Sequence, residues 1–79
     1  MPLFMDRHDL PGATAEQVAQ AHVLDLGPSA KHGVQFLSYW FDADTAAVFC
    51  LAKASRPDDM QAVHRESHGL IANEIISVS

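Results

Sequence analysis

Histidine dominates the residues of this chain that could do chemistry. Five of the 79 residues are histidines, and they stand at positions His8, His22, His32, His64 and His68. Histidine is the commonest side-chain metal ligand, and it is the acid-base group that titrates nearest to neutral pH. The sequence therefore points either to a metal site or to a general acid-base site.

The two closest histidines are His64 and His68, which are four residues apart. On a helix this spacing places both imidazoles on one face, where they can bind one ion. The carboxylate between them does not have the position that a zincin motif requires. A pair at this spacing also arises often by chance, so a metal site needs donors from other segments.

Three other segments offer such donors. Asp6 and His8 are two residues apart in an extended segment, so they share one face of a strand. Cys50 lies on the predicted neighbouring strand, where its thiolate could join the imidazoles, although a single cysteine is more often a small buried apolar residue. His22 lies on the apolar stripe of a predicted helix, and there it needs a hydrogen-bond partner or a ligand. His32, in a polar turn, is assigned no role.

Enzymatic alternatives remain open at this point. A general base formed by His8 or His22 in an enclosed pocket would suit a small isomerase, a hydratase or a cofactor-free oxygenase. A Cys50 nucleophile would need a histidine within hydrogen-bond reach, which the sequence does not establish. The segment 10–13 lacks the glycines and the lysine of a phosphate-binding loop, so nucleotide binding is not indicated.

The first half of the chain predicts a strand and a helix that position these donors. Residues 3–9 form the first strand, which ends at a Pro-Gly turn. Thr14 and Gln17 have the spacing of a capping box, so the first helix begins there. We expect Gly27 and Pro28 to end or break this helix.

The second half predicts a hairpin, a helix and a last strand. Segments 34–41 and 45–52 are apolar and are joined by a short turn at 42–44, as in a β-hairpin. Ser55 and Pro57 are typical of a helix start, and that helix should run to about Ser67, with Gly69 as its stop. Residues 70–78 form the fourth strand.

The order βαββαβ predicts a ferredoxin-like α+β sandwich formed by one domain over residues 1–79. Right-handed crossovers place strands one and three at the centre of a four-stranded antiparallel sheet, with both helices on one face. In strand two we expect Phe36 and Trp40 on one face and Leu37, Tyr39 and Phe41 on the other. Both faces are then apolar, which predicts a sheet-to-sheet homodimer.

Composition limits the classes of partner and the cellular compartment that we expect for this protein. Hydrophobic residues make up 48% and charged residues 19% of the chain, which is typical of a folded domain. A net charge of −5 with only five Lys and Arg residues argues against nucleic acid as a partner. No apolar run is long enough for a membrane span, and the N-terminal segment lacks the pattern of a secretion signal. Together with a single cysteine, these features predict a cytoplasmic protein without a membrane partner.

Several segments, in this order, resemble one known family. They are FMDRH (4–8), VAQAH with DL (18–22 and 25–26), GVQFLSYW (33–40), VFCL (48–51) and VHRESHG (63–69). The chain resembles the small bacterial nickel-binding, nickel-responsive proteins that were long filed as a domain of unknown function. The segment 24–31 departs from the family pattern, because Gly27 and Pro28 replace an expected charged, helix-favouring stretch.

This resemblance implies a ferredoxin-like homodimer that binds nickel through histidine-containing sites and has no established enzymatic activity. Such a protein would handle, store or sense the metal. Imidazole and carboxylate ligands suit zinc and copper as well as nickel, so the choice of nickel comes from the resemblance alone. The candidate ligands carried over by position are His8, His22, His64 and His68, with Asp6, Cys50 and Glu66 as weaker ligands.

Overall fold

The computed structural model describes residues 2–78, and over this range the chain forms four strands and two longer helices. A short 3₁₀ turn, Ala30–His32, follows the first helix. The elements are β1 (Leu3–Asp9), α1 (Ala15–Ser29), β2 (Gln35–Asp42), β3 (Ala47–Lys53), α2 (Pro57–Ser67) and β4 (Glu74–Val78). No helix among these residues combines the length and the apolar character needed to cross a bilayer.

The four strands form one antiparallel sheet in the order β2-β3-β1-β4. The two central strands are therefore β1 and β3, as the βαββαβ order predicts. Val18 of α1 packs on Val48 and Cys50 of β3, and Met60 of α2 packs with Phe4 of β1. Both helices thus cover the same face of the sheet, and the predicted ferredoxin-like fold is confirmed.

Helix α1 begins as predicted but ends later. The Thr14 hydroxyl accepts a hydrogen bond from the Gln17 N–H, and the Gln17 side chain accepts one from the Thr14 N–H. The expected break at Gly27 and Pro28 is wrong, because α1 continues to Ser29 with Pro28 in its last turn. A proline there removes only a bond to the carbonyl four residues earlier, at Leu24, which lies on the exposed side of the helix.

Helix α2 has its predicted bounds and a different cap. Pro57 is its first residue, but Arg56 and not Ser55 occupies the N-cap position. At the other end the Gly69 N–H donates to the His64 carbonyl, and Gly69 has a φ of 78° that L-residues with a side chain rarely adopt. The change of chain direction at Gly69 keeps His68 next to the end of the helix.

The hairpin contains a β-bulge that changes which side chains share a face. The pairing of β2 with β3 shifts between Phe36 and Ser38. As a result Phe36, Tyr39 and Phe41 all lie on the face that the helices cover. The expectation that Phe36 and Trp40 share a face is therefore wrong, since one inserted residue moves every later side chain to the opposite face.

The last strand is shorter than predicted. It begins at Glu74, while the segment 70–73 forms a connection. Asn73 fixes this connection to β1, because its side-chain oxygen accepts from the Asp9 N–H and its own N–H donates to the Arg7 carbonyl. The Gln61 side chain of α2 binds the N–H and the carbonyl of Ala72.

Candidate metal centre

The imidazole of His64 lies at the centre of a buried polar network between α2 and the sheet. Its Nε2 is 2.6 Å from Oδ2 of Asp6, and its Nδ1 is 3.0 Å from Oδ1 of Asp25. The Asp6 and His64 side chains are completely buried, and Asp25 is 2% exposed. Since buried carboxylates are costly unless they are paired, these contacts explain how the fold accommodates both acids.

The central strands supply one side of this network. Asp6 and Cys50 are direct partners across β1 and β3, so both side chains point to the helices. Oδ1 of Asp6 accepts a hydrogen bond of 3.2 Å from the Cys50 N–H and lies 3.4 Å from Nε2 of His8. The rings of His8 and His64 meet edge to face, with their centroids 4.6 Å apart.

Helix α1 and the end of α2 supply the other side. Oδ1 of Asp25 accepts from the Ser67 hydroxyl at 2.6 Å and lies 3.0 Å from Nε2 of His68. Nδ1 of His68 accepts a hydrogen bond of 3.0 Å from the Leu70 N–H. A ring nitrogen that accepts carries no proton, so Nε2 of His68 bears the proton and donates it to Asp25. This tautomer suits His68 to support Asp25 rather than to bind an ion through Nε2.

Opposite charges determine how the network ionises. Burial alone would raise the pKa of Asp6, but its hydrogen bonds with His64 and His8 outweigh this effect and hold the pKa at about 2. Burial alone would lower the pKa of His64, yet its bonds to Asp25 and Asp6 raise that pKa to about 9. Without metal, His64 is therefore an imidazolium shared by two carboxylates at neutral pH.

Burial and neighbouring charges also determine the pKa values of Asp25 and Cys50. Burial would raise the pKa of Asp25, but hydrogen bonds from His64 and Ser67 lower it below its usual range. Burial raises the pKa of the Cys50 thiol, and the negative charge of Asp6 raises it further. Cys50 is therefore a neutral thiol and not a reactive nucleophile in the metal-free protein.

Two sets of donor atoms in this network are close enough to hold an ion. Within each set, the ligand atoms all lie within 4.8 Å of one another. The first set is buried and mixes oxygen, nitrogen and sulfur, and the second shares His64 with it. The sets are Asp6, His8, Cys50 and His64, and Asp25, His64 and His68.

The first set fits a divalent ion. Imidazole and thiolate donors suit nickel, copper and zinc, and a bound cation displaces the proton of a coordinating thiol. The Asp6 carboxylate and a Cys50 thiolate would together balance a charge of +2. Nδ1 of His8 is buried and has no hydrogen-bond partner among residues 2–78, so this ring retains a nitrogen that nothing else uses.

Two of the sequence-derived candidates lie outside both donor sets. His22 on α1 is half-buried and stacks on Tyr39, with the ring centroids 4.4 Å apart. Glu66 is exposed, where its carboxylate pairs with Lys31 and lies 2.7 Å from Nε2 of His32. The structure thus brings together Asp6, His8, Cys50, His64 and His68 and leaves His22 and Glu66 apart from them.

Sequence reasoning did not single out Asp25 or Ser67, which the structure places in the network. Asp25 lies three residues after His22 and seven after Val18, on the same stripe of α1. An acidic residue on an apolar stripe is a signal, because it needs a buried partner. Ser67 is predicted to share the apolar stripe of α2 with His64, but the sequence does not mark it as a site residue.

A small cavity adjoins the network between α1 and the sheet. Its volume is about 30 Å³, enough for one or two water molecules. Its wall includes His8, Cys50, Asp25 and His68 from the network. The other lining residues are Leu10, Val18, Ala21, His22, Tyr39, Val48 and Leu70.

Comparison with known proteins agrees with the fold. A family model described as "Nickel responsive protein SCO4226-like" matches residues 4–78. The crystal structure of SCO4226 from Streptomyces coelicolor A3(2) is similar to this chain, with a TM-score of 0.88 and 35% sequence identity over 96% of this chain and 94% of that chain. No curated protein matches. With nearly every residue covered by the family model, the chain belongs to the SCO4226-like family of nickel-responsive proteins.

Proposed function

We propose that this protein binds a divalent metal ion through Asp6, His8, Cys50 and His64, and that this ion is nickel. The observation that carries the proposal is the convergence of four donors of three chemical kinds at one buried point. The family name supports nickel as the ion. The proposed role is metal handling, storage or sensing, and a cytoplasmic location is proposed because the unpaired Cys50 suits a reducing compartment.

Asp25 has a supporting role in this proposal. Histidines that bind metals commonly donate their second ring N–H to a carboxylate, which fixes the tautomer and the orientation of the ring. The bond between Asp25 and Nδ1 of His64 has this form and leaves Nε2 directed toward Asp6. His68 and Ser67 hold Asp25 in place by donating to the same oxygen.

The protein acts as a homodimer in which two sheets pack against each other. The sheet face away from the helices is apolar, and Trp40 and Ile76 on it are 48% and 47% exposed. On this face Nε of Arg7 is buried without a hydrogen-bond partner among the described residues. A second copy would cover the apolar side chains and offer an acceptor to Arg7.

The alternative function, an enzyme with a histidine base, has less support. His8 and His22 do line a cavity, as such an enzyme requires. However, its volume of about 30 Å³ leaves no room for an organic substrate beside the bases. The donor set therefore explains more of the buried polar residues than a catalytic pocket does.

The experiment is a titration of untagged, chelator-treated protein with Ni²⁺, Zn²⁺ and Cu²⁺ by calorimetry and elemental analysis. We expect one ion per chain in the buried site and a loss of affinity of at least about 100-fold in His8→Phe and His64→Gln variants. Glu66→Gln is the matched control, since it alters an exposed candidate ligand. Absence of stoichiometric binding would refute the proposal, and so would affinity that falls only in the Glu66 variant.

A further inference from the structure

We propose that His22 is a transfer ligand, which binds a metal ion that has entered the cavity and passes it to the buried donors. This inference rests on the proposed metal site, and it concerns the route to that site. A buried site needs an entry path. His8 and Cys50 are each only 4% exposed and Asp6 is fully buried, so an ion cannot reach these donors directly from bulk water.

The cavity supplies the route. Its wall includes His8 and Cys50, which belong to the donor set. The wall also includes Leu70, which is 44% exposed. A larger surface depression shares Leu10, Val18, Ala21 and Leu70 with the cavity, so the two adjoin and lead from solvent to the donors.

Within the part of the chain that the structure describes, His22 is the only histidine of the cavity wall that belongs neither to the donor set nor to the hydrogen bonds around Asp25. Its Nδ1 is buried and has no hydrogen-bond partner among residues 2–78. A buried ring nitrogen without a partner is costly, and it points to a ligand that completes the site. His22 is half-buried, whereas the four donors are buried, so it is the more accessible group on the wall that the two share.

The steps of transfer balance without redox chemistry. An ion that has entered the cavity exchanges one water for the lone pair of a His22 ring nitrogen. That bond is then replaced by bonds to His8, Cys50 and the other donors, while the protons displaced from Cys50 and His64 leave with solvent. Because the same route operates in reverse, loss of His22 should slow entry and exit equally and leave the equilibrium unchanged.

The stacking of His22 on Tyr39 allows a clean substitution. His22→Phe keeps an aromatic ring over Tyr39 and removes both ring nitrogens, so the fold should be preserved. His22→Gln provides a second variant without the imidazole. His32→Phe is the matched control, because it removes a histidine that is bonded to Glu66 on the surface.

The test combines stopped-flow loading with Ni²⁺, release into excess EDTA, and equilibrium titration of the same proteins. We expect both rates to fall at least about tenfold in the His22 variants, with the dissociation constant within about twofold of the original. Unchanged rates would overturn the proposal. A weaker equilibrium affinity would also overturn it, because His22 would then be a ligand of the bound ion. If the unaltered protein binds no nickel, the proposed metal site itself fails.

Discussion

The two faces of strand β1 show how one short segment serves two purposes. Toward the helices β1 presents Asp6 and His8, which are buried among polar partners. Toward the other side it presents Met5, which pairs with Leu51 and Ile76, and Arg7, which pairs with Phe49 and Glu74. Alternation along a strand makes this separation automatic, because adjacent side chains point to opposite faces.

The two faces differ in how their polar side chains are compensated. On the inner face every carboxylate of the network has at least two partners, which restricts the side chains to one arrangement. On the outer face the polar contacts of Arg7 are exposed ion pairs with Asp9 and Glu74. Substitutions on the inner face should therefore affect stability and metal binding, and those on the outer face should affect association.

The largest expected effect is a difference in stability between substitutions at two adjacent residues of β1. Asp6→Leu removes one partner of a buried ion pair and leaves the Cys50 N–H without its acceptor, so the free energy of unfolding should fall by about 3–5 kcal/mol. Within one chain Arg7→Met removes only the exposed ion pairs with Asp9 and Glu74, so its effect on the free energy of unfolding of the dissociated chain should stay below about 1 kcal/mol. Urea denaturation of both metal-free variants at one protein concentration measures the contrast. Equal losses would contradict the distinction between the faces.

The second effect concerns the outer face. Ile76→Glu places a charge in the apolar surface that we assign to the dimer, so the dissociation constant of the dimer should rise at least about 100-fold. Trp40→Glu should act in the same direction. Light scattering after gel filtration over a range of concentrations reports the mass, and metal titration reports the site. A mass that stays at the value of the unaltered protein in both variants would rule out this interface.

Much of the inner face was predictable from the sequence. Period-two alternation places Asp6 and His8 together, the βαββαβ order places Cys50 on the next strand, and helical spacing places His64 near His68. These relations depend only on local periodicity and on the hand of the crossovers. They were sufficient for the fold and for most of the donors that the structure brings together.

The remaining features depend on details that the pattern does not contain. The bulge near Ser38 inserts one residue into β2 without any glycine or proline to mark it. The late end of α1 depends on which carbonyl loses its partner at Pro28. Whether His22 reaches the donor set depends on the rotation of α1, and its stacking on Tyr39 follows from the same rotation and from the shifted register of β2.

The smallest expected effect is a pH dependence of the inner face in the metal-free protein. In the folded chain the pKa of His64 is about 9, above its ordinary value of 6.5, so its protonation stabilises the fold fully below pH 6.5. This contribution is lost as the pH rises toward 9. The free energy of unfolding should therefore fall by about 1–3 kcal/mol between pH 6 and 8.5.

Urea denaturation in the presence of EDTA measures this change, and a His64→Gln variant provides the control because it cannot undergo the titration. The same proton competes with a metal ion for His64, so nickel affinity should rise over the interval in which the stability of the metal-free protein falls. The stabilisation from Asp6 changes in a different pH range. Because the pKa of Asp6 is lowered from 3.8 to about 2, its contribution to the free energy of unfolding is lost only as the pH falls from 3.8 through 2. A free energy of unfolding that is flat from pH 6 to 8.5, or that changes equally in the His64→Gln variant, would show that the imidazolium between Asp6 and Asp25 does not organise this face.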